Sequence, residues 1–175
     1  MHFDKLFSYC PVCGSSEFAL NNIKSKRCKS CGFTMYVNPA AAVAAFIINE
    51  NNELLVCVRA KEPEKGTLDL PGGFIDNDES AENAIVRELK EELNVEVVSQ
   101  KYLFSLPNLY LYSGWTLPTL DMFFSAKIKS YNDIFPDDDV EGFKFIPVNE
   151  LNPELFGLNS IKKAITIFNE KFGEE

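Results

Sequence analysis

The sequence predicts a mixed α/β domain, folded as an α/β/α sandwich around a mixed sheet, behind a small cysteine-built module. Three observations carry this. Two matched Cys-x-x-Cys-Gly pairs stand near the N-terminus, at 10–14 and 28–32. From residue 40 onward, apolar runs suited to strands lie on both sides of one strong helical pattern at 80–93. The chain has 175 residues, 46% hydrophobic and 25% charged, enough for one ordinary domain and a small appendage.

The N-terminal module is drawn over residues 1–36. Cys10-Pro11-Val12-Cys13-Gly14 and Cys28-Lys29-Ser30-Cys31-Gly32 each place two thiols on one tight turn, and the glycine that follows supplies backbone freedom. Two such turns facing each other offer four sulfurs to a tetrahedral Zn²⁺. A piece this short buries too little to fold alone, so the metal would supply the missing stability. The same spacing also suits two disulfides or a redox pair, but structural disulfides are rare inside cells. The expectation is a four-cysteine zinc ribbon, with Cys10, Cys13, Cys28 and Cys31 as ligands and short strands at 16–20 and 26–27. Cys57 falls in an apolar alternation at 54–58 and reads as a buried core thiol.

The second unit is drawn over 37–175. Residues 40–49 and 53–59 read as strands joined by the turn-rich Asn49-Glu50-Asn51-Asn52, a hairpin signal. Residues 59–67 are polar, with Pro63 and Gly66, and read as a loop. A short strand at 68–70 is stopped by Pro71-Gly72-Gly73. After the helix, strands are expected near 95–106, 110–112, 119–128 and 143–147. Short helices follow at 148–151, ended by Pro153, and at 160–171.

Charge and histidine count exclude several functions. The net charge is −9, which argues against general attraction to nucleic acid or anionic membrane. Residues 1–36 carry Lys5, Lys24, Lys26, Arg27 and Lys29 against Asp4 and Glu17, a net of +3, so the remainder carries −12. Four thiolates on one Zn²⁺ add −2 and largely cancel the module's positive excess, which weakens the case for a nucleic-acid role. His2 is the single histidine, so a Ser-His-Asp triad or a Cys-His pair is improbable. No apolar run follows a basic N-terminal start, and the longest apolar stretch, 39–48, is too short to span a bilayer. A soluble, cytoplasmic protein without membrane contact is expected.

Chemistry concentrates between Gly73 and Val95. On a helix, Glu88, Glu91 and Glu92 share one face. Like charges at that spacing repel, and Mg²⁺ or Mn²⁺ would relieve the repulsion while taking the hard oxygens as ligands. A solvated acidic helix is the competing reading of the carboxylates alone. Ala84, Ile85 and Leu89 form the stripe that seats the helix on a sheet, and Asp78, Glu79 and Glu82 suit its N-terminus. Gly72 and Gly73 allow backbone to approach a metal or phosphate. Arg59, Lys61 and Lys65 lie where local cations would meet an anionic substrate. Tyr110 and Tyr112 share one strand face near a pocket rim, with Trp115 nearby, where a purine could stack.

The order of residues decides between the two readings of the helix. Gly73, Glu79, Arg87, Glu88, Leu89, Glu91, Glu92 and Val95 stand at the spacings of the Nudix box, and the chain resembles that family. The family's late glycine is Asn94 here, at a helix end where a left-handed residue is needed and Asn is the next-best choice. The resemblance implies hydrolysis of a nucleoside diphosphate linked to another moiety, X, to a nucleotide and phospho-X. It implies that Glu88, Glu91 and Glu92 hold the divalent ions and that Glu79 and Arg87 brace the loop and helix, all five serving catalysis. Glu91, Glu141 and the run Asp137, Asp138 and Asp139 are the candidate proton acceptors.

The layout, a zinc ribbon before a Nudix domain, is similar to that of bacterial NADH pyrophosphatases, which carry a Ser-Gln-Pro-Trp-type motif after the box. Here Ser105-Leu106-Pro107-Asn108 keeps Ser105 and Pro107 only. NADH or NAD, ADP-ribose and other dinucleotide-like pyrophosphates thus stand as alternative substrates. The resemblance also allows a homodimer. The alternative of a different class is a non-catalytic Nudix-folded nucleotide sensor, or a nucleic-acid-binding adaptor using the ribbon. The presence of all three glutamates speaks for the enzyme.

Overall fold

A computed structural model describes residues 6–136 and 140–172. His2 and the acidic run Asp137, Asp138 and Asp139 lie outside them. The strands are β1 (Phe18–Asn22), β2 (Ser25–Cys28), β3 (Thr34–Tyr36), β4 (Ala40–Phe46), β5 (Glu53–Arg59), β6 (Leu68–Asp69), β7 (Gly72–Phe74), β8 (Val97–Tyr112), β9 (Trp115–Ile128) and β10 (Val140–Pro147). The helices are α1 (Ala81–Leu93) and α2 (Asn159–Phe172), the latter preceded by single 3₁₀ turns at Val148–Glu150 and Pro153–Leu155.

β1, β2 and β3 form an antiparallel sheet beside the cysteine turns. The larger unit holds two sheets, β7-β4-β9-β8 and β10-β5-β6, and the first is mixed because β4 and β9 run parallel. Alternation along β4 and β5 feeds two separate cores. Val43, Ala45, Leu55 and Cys57 pack against Ala84, Ile85, Leu89 and Leu93 of α1. Ala44, Phe46, Leu54 and Val56 pack against Ile161, Ala164, Ile165 and Phe168 of α2. Phe46 and Phe168 stack with centroids 4.5 Å apart. The helices therefore cover opposite faces, which is the expected α/β/α sandwich.

α1 forms where the pattern places it. Ser80 Oγ accepts the N–H of Asn83 at 3.2 Å, capping the start. The apolar stripe is fully buried, a gain of about 2 kcal/mol per large side chain before entropy is charged. Asn94 ends the helix in the left-handed region, φ 56° and ψ 27°, with its N–H on Lys90 O at 3.0 Å.

Several expectations are corrected. Residues 40–49 and 53–59 are not a ladder-paired hairpin. They meet only near the Ile48–Leu54 bridge and then part into different sheets, because both strands are apolar on both faces and each fills the interior of its own sheet. The strands expected at 95–106 and 110–112 are one 16-residue strand, β8. Pro107 is tolerated because β8 is an edge strand. The strand expected at 68–70 is β6, which stops before Pro71 as expected, but the glycines after it form an unexpected strand, β7, that pairs Gly72 and Gly73 with Ala44 and Val43 in the other sheet. The helix expected at 148–151 is a single 3₁₀ turn, and Pro153 begins a second one instead of only ending the first. β3 has no counterpart in the sequence pattern. Cys57 is buried as expected, 3% exposed.

Candidate active site

Arg87 organises the acidic face of α1. Its Nε and Nη2 donate to Glu79 Oε1 and Oε2 at 2.9 and 2.8 Å. Its Nη1 donates to Glu88 Oε1 at 2.8 Å and Glu91 Oε2 at 2.9 Å, and Nη2 also reaches Phe74 O at 2.9 Å. These bonds use all five guanidinium donors. Glu79 takes a further bond from the Asp76 N–H at 3.1 Å. Arg87 holds the Glu79 carboxyl below its usual range, against the opposing effect of burial. Burial pushes Glu88 up, partly offset by Arg87 and reinforced by Glu91 and Glu79.

The two adjacent glycines do different work. Gly72 has φ 146°, and a Cβ there would lie 2.1 Å from Val43 O, so no side chain fits between β7 and β4. Its N–H donates to Glu92 Oε2 at 2.8 Å. A Cβ on Gly73 would meet the Glu88 carboxylate at 2.6 Å, so this position keeps Glu88 against the backbone.

Glu88, Glu91, Glu92, Gly72 and Gly73 line one wall of a cavity of about 480 Å³, inside the size range of small-molecule sites. The β8–β9 hairpin forms the facing wall. Asn108, Tyr110 and Tyr112 alternate onto the cavity side, and Thr119 and Asp121 lie beside them on β9. Phe74 meets Tyr110 edge-on, centroids 5.6 Å apart. Arg59 lines the cavity but is already engaged. It pairs with Asp69, donates from Nε to Pro63 O at 2.8 Å and from Nη2 to the Tyr110 hydroxyl at 3.3 Å. Burial works against its charge, but Asp69 and Tyr110 outweigh that and hold it protonated.

Of the other expected residues, Lys61 lines the cavity, whereas Lys65, Trp115 and Glu141 are not among its lining residues. Trp115 pairs with Tyr112 beside the Ser113-Gly114 turn. The sequence reading missed Asp69, Thr119, Asp121 and Ser160. Asp121 accepts from Thr119 Oγ1 at 2.6 Å and from Ser160 Oγ at 2.5 Å, all three residues buried, which ties β9 to the start of α2. A signal existed: Asp69 and Asp121 are the single carboxylates of their strands, each flanked by large apolar residues, and such groups must be paired when buried.

Cation fit can be judged from the donors. Glu88 and Glu91 accept from Arg87, and Glu92 accepts the Gly72 N–H. A carboxylate offers about four lone-pair sites, so capacity for a hard divalent ion remains. Among the described residues only the four cysteines bring three or more ligand atoms within 4.8 Å of one another. The glutamates instead spread along one wall.

The cysteine cluster is closed. Cys10 Sγ lies 3.7 Å from Cys31 Sγ, and Cys13 Sγ 3.6 Å from Cys28 Sγ. A tetrahedron with Zn–S of about 2.3 Å has edges of about 3.8 Å, whereas a disulfide needs about 2.0 Å. All four thiols are free, and their spacing fits zinc. The two turns repeat each other. Gly14 and Gly32, at φ 71° and 79°, donate to Cys10 O and Cys28 O at 2.9 and 3.0 Å. The N–H of Cys31, aided by that of Ser30 against burial, pulls the Cys28 thiol down to about 6.

The comparisons agree with this architecture. Residues 38–166 match the model of the NUDIX domain. The chain is 25% identical over 146 residues to the NAD-capped RNA hydrolase NudC of Pseudomonas aeruginosa strain PAO1, covering 83% of this chain and 49% of that protein. It is 40% identical over 78 residues to the ADP-ribose pyrophosphatase of Methanocaldococcus jannaschii, covering 43% of this chain and 46% of that protein. The chain thus spans about half the length of the curated relatives it matches. A NUDIX hydrolase from Nitrosomonas europaea shares the fold with a TM-score of 0.73 at 24% identity, covering 95% of this chain and 92% of that one. No helix among the described residues is long and apolar enough to cross a membrane. With residues 38–166, most of the chain, matching the family model and the Arg87–Glu79 brace formed beside Glu88, Glu91 and Glu92, the chain belongs to the Nudix family.

Proposed function

We propose that the chain is a metal-dependent Nudix pyrophosphohydrolase that cleaves an NAD- or ADP-ribose-like pyrophosphate to a nucleotide and phospho-X. One observation carries the reading: the acidic face of α1 and the aromatic, polar face of the β8–β9 hairpin line the same cavity. The names of the Pseudomonas and Methanocaldococcus relatives support the substrate class.

In this reading Glu88, Glu91 and Glu92 hold Mg²⁺ or Mn²⁺. Bound divalent ions neutralise and orient a pyrophosphate and acidify a water. Arg87 fixes the rotamers of Glu88 and Glu91 and has no donor left for substrate. Glu79 fixes Arg87. Gly72 holds Glu92 through its N–H and, with Gly73, lets the substrate approach backbone. Glu91, at the cavity wall and more than half exposed, accepts the proton of the attacking water. Tyr110 and Tyr112 face a planar base, and Arg59 positions Tyr110 through its hydroxyl. Residues 1–36 form a zinc-bound ribbon and 37–175 the catalytic domain, with one structural zinc on Cys10, Cys13, Cys28 and Cys31.

The test is turnover with Mg²⁺ or Mn²⁺ across NADH, NAD⁺, ADP-ribose, nucleotide sugars, dinucleoside polyphosphates and nucleoside triphosphates. Hydrolysis of an NAD- or ADP-ribose-like member, lost on Glu92→Gln, is the expected result. A panel with no turnover refutes the reading, and full activity in Glu92→Gln refutes that residue's role.

A further inference from the structure

Asn108 offers an uncommitted amide in the cavity wall. It is 8% exposed, it lines the cavity, and its side-chain amide has no hydrogen-bond partner among the described residues. Among the described residues the fully buried side-chain polar atom without a partner is Asn169 Oδ1, so the amide atoms of Asn108 are open to the cavity and available to a ligand. Its neighbours are satisfied: Thr119, directly across the ladder, donates to Asp121, and Asp121 also accepts from Ser160. Asn108 alone is left with two donors and a carbonyl acceptor facing the space where a ligand would sit.

The surroundings narrow the ligand. Asn108 and Tyr110 project on the same side of β8, and Asp121 projects beside Thr119 on the same face of β9. A flat group seated against the Tyr110 ring would present its edge to Asn108. An amide pairs bidentately with an edge that carries an amino donor next to an acceptor, the match by which Asn reads adenine.

We propose that Asn108 is the specificity residue of this subsite, reading a planar heteroaromatic that bears an amino donor beside an acceptor. Two parts of an NAD-like substrate carry that chemistry, the adenine edge and the nicotinamide carboxamide. The inference rests on the hydrolase reading for its substrate class, and its test does not require turnover.

Binding of AMP, IMP, nicotinamide mononucleotide and nicotinate mononucleotide is measured by calorimetry in EDTA, for the full chain and for Asn108→Asp and Asn108→Leu. Leu keeps the branched shape, so it guards against a variant that simply fails to fold. Wild type is expected to bind one amino or amide member over its keto or acid counterpart by roughly 10- to 100-fold. Preference within the AMP–IMP pair assigns adenine, and preference within the nicotinamide pair assigns the carboxamide. Asn108→Leu should bring that ratio to within about 3-fold of unity while weakening the disfavoured member little, and Asn108→Asp, which keeps an acceptor but has no donor, should weaken the favoured member without abolishing the preference. A wild type that distinguishes neither pair overturns the proposal, as does a folded Asn108→Leu protein that keeps the wild-type ratio. Loss of turnover on the whole panel, with nucleotide discrimination intact, overturns the hydrolase reading and leaves Asn108 as a base-reading residue.

Discussion

Arg87 grips the carboxylate of Glu79, eight residues earlier, with two parallel hydrogen bonds at 2.9 and 2.8 Å. The pair closes the loop before α1 onto the helix, and the same guanidinium holds Glu88 and Glu91. Lysine keeps the charge but lacks the fork. Arg87→Lys should therefore lower stability by about 1–3 kcal/mol, a melting shift of several degrees for a chain of this size, and reduce turnover more than substrate affinity. Thermal melting alongside a kcat and KM measurement checks both; an unchanged kcat would refute the brace.

Glu79 also predicts a pH dependence. Its folded pKa lies below the ordinary value of 4.5, so its stabilising contribution is present above that value and is lost as pH falls through the lower folded value. Melting temperatures recorded from pH 7 to pH 3 should fall more steeply for wild type than for Glu79→Gln, and the gap between the two should close at the acid end. Parallel curves would contradict the assignment.

Gly72 and Gly73 should fail differently when changed to alanine. At Gly72 the new Cβ meets backbone, Val43 O, at 2.1 Å, so β7 cannot stay paired with β4. A loss on the order of 3 kcal/mol is expected from overpacking and strain together. At Gly73 the obstacle is the far end of the Glu88 side chain. Gly73→Ala should melt within about 1 kcal/mol of wild type yet lose metal-dependent turnover. Equal destabilisation by the two would show that the Gly72 approach is looser than the geometry states.

For the cysteine turns, metal analysis should find about one zinc per chain. Cys28→Ser should release it, and the ribbon should then lose its chemical-shift dispersion. A metal-free protein with four titratable thiols and an intact ribbon would rule out a structural zinc.

Local features are legible in the sequence and distant pairings are not. The helix expected at 80–93 is α1 at Ala81–Leu93, because the Ser80 cap, the apolar stripe and the Asn94 stop all lie within one short segment. The cysteine knuckles are equally local. By contrast, Pro71-Gly72-Gly73 carries strong turn residues, yet β4 recruits two of them into a strand, since the missing side chains let two backbones approach. Pro107 suggests a break, and only knowledge that β8 sits at a sheet edge removes the objection. Asp121 and Ser160 are 39 positions apart, and nothing near either residue announces the other. Arg59, expected from the sequence as a local cation for an anionic substrate, meets Asp69 ten positions on and Tyr110 51 positions on.

The hairpin of β8 and β9 turns at Ser113 and Gly114, both with positive φ, and pairs Tyr112 with Trp115 and Asn108 with Thr119. Odd and even positions of β8 consequently have different fates. Asn108, Tyr110 and Tyr112 face the cavity, while Leu109 and Leu111 are exposed at 68% and 53%. The choice of which set looks inward is a matter of parity, counted from that two-residue turn. One residue inserted or deleted there would slide β8 by a single step against β9 and exchange the two sets. The chemistry at the far end of the cavity is thus written in the length of a turn that itself touches no ligand.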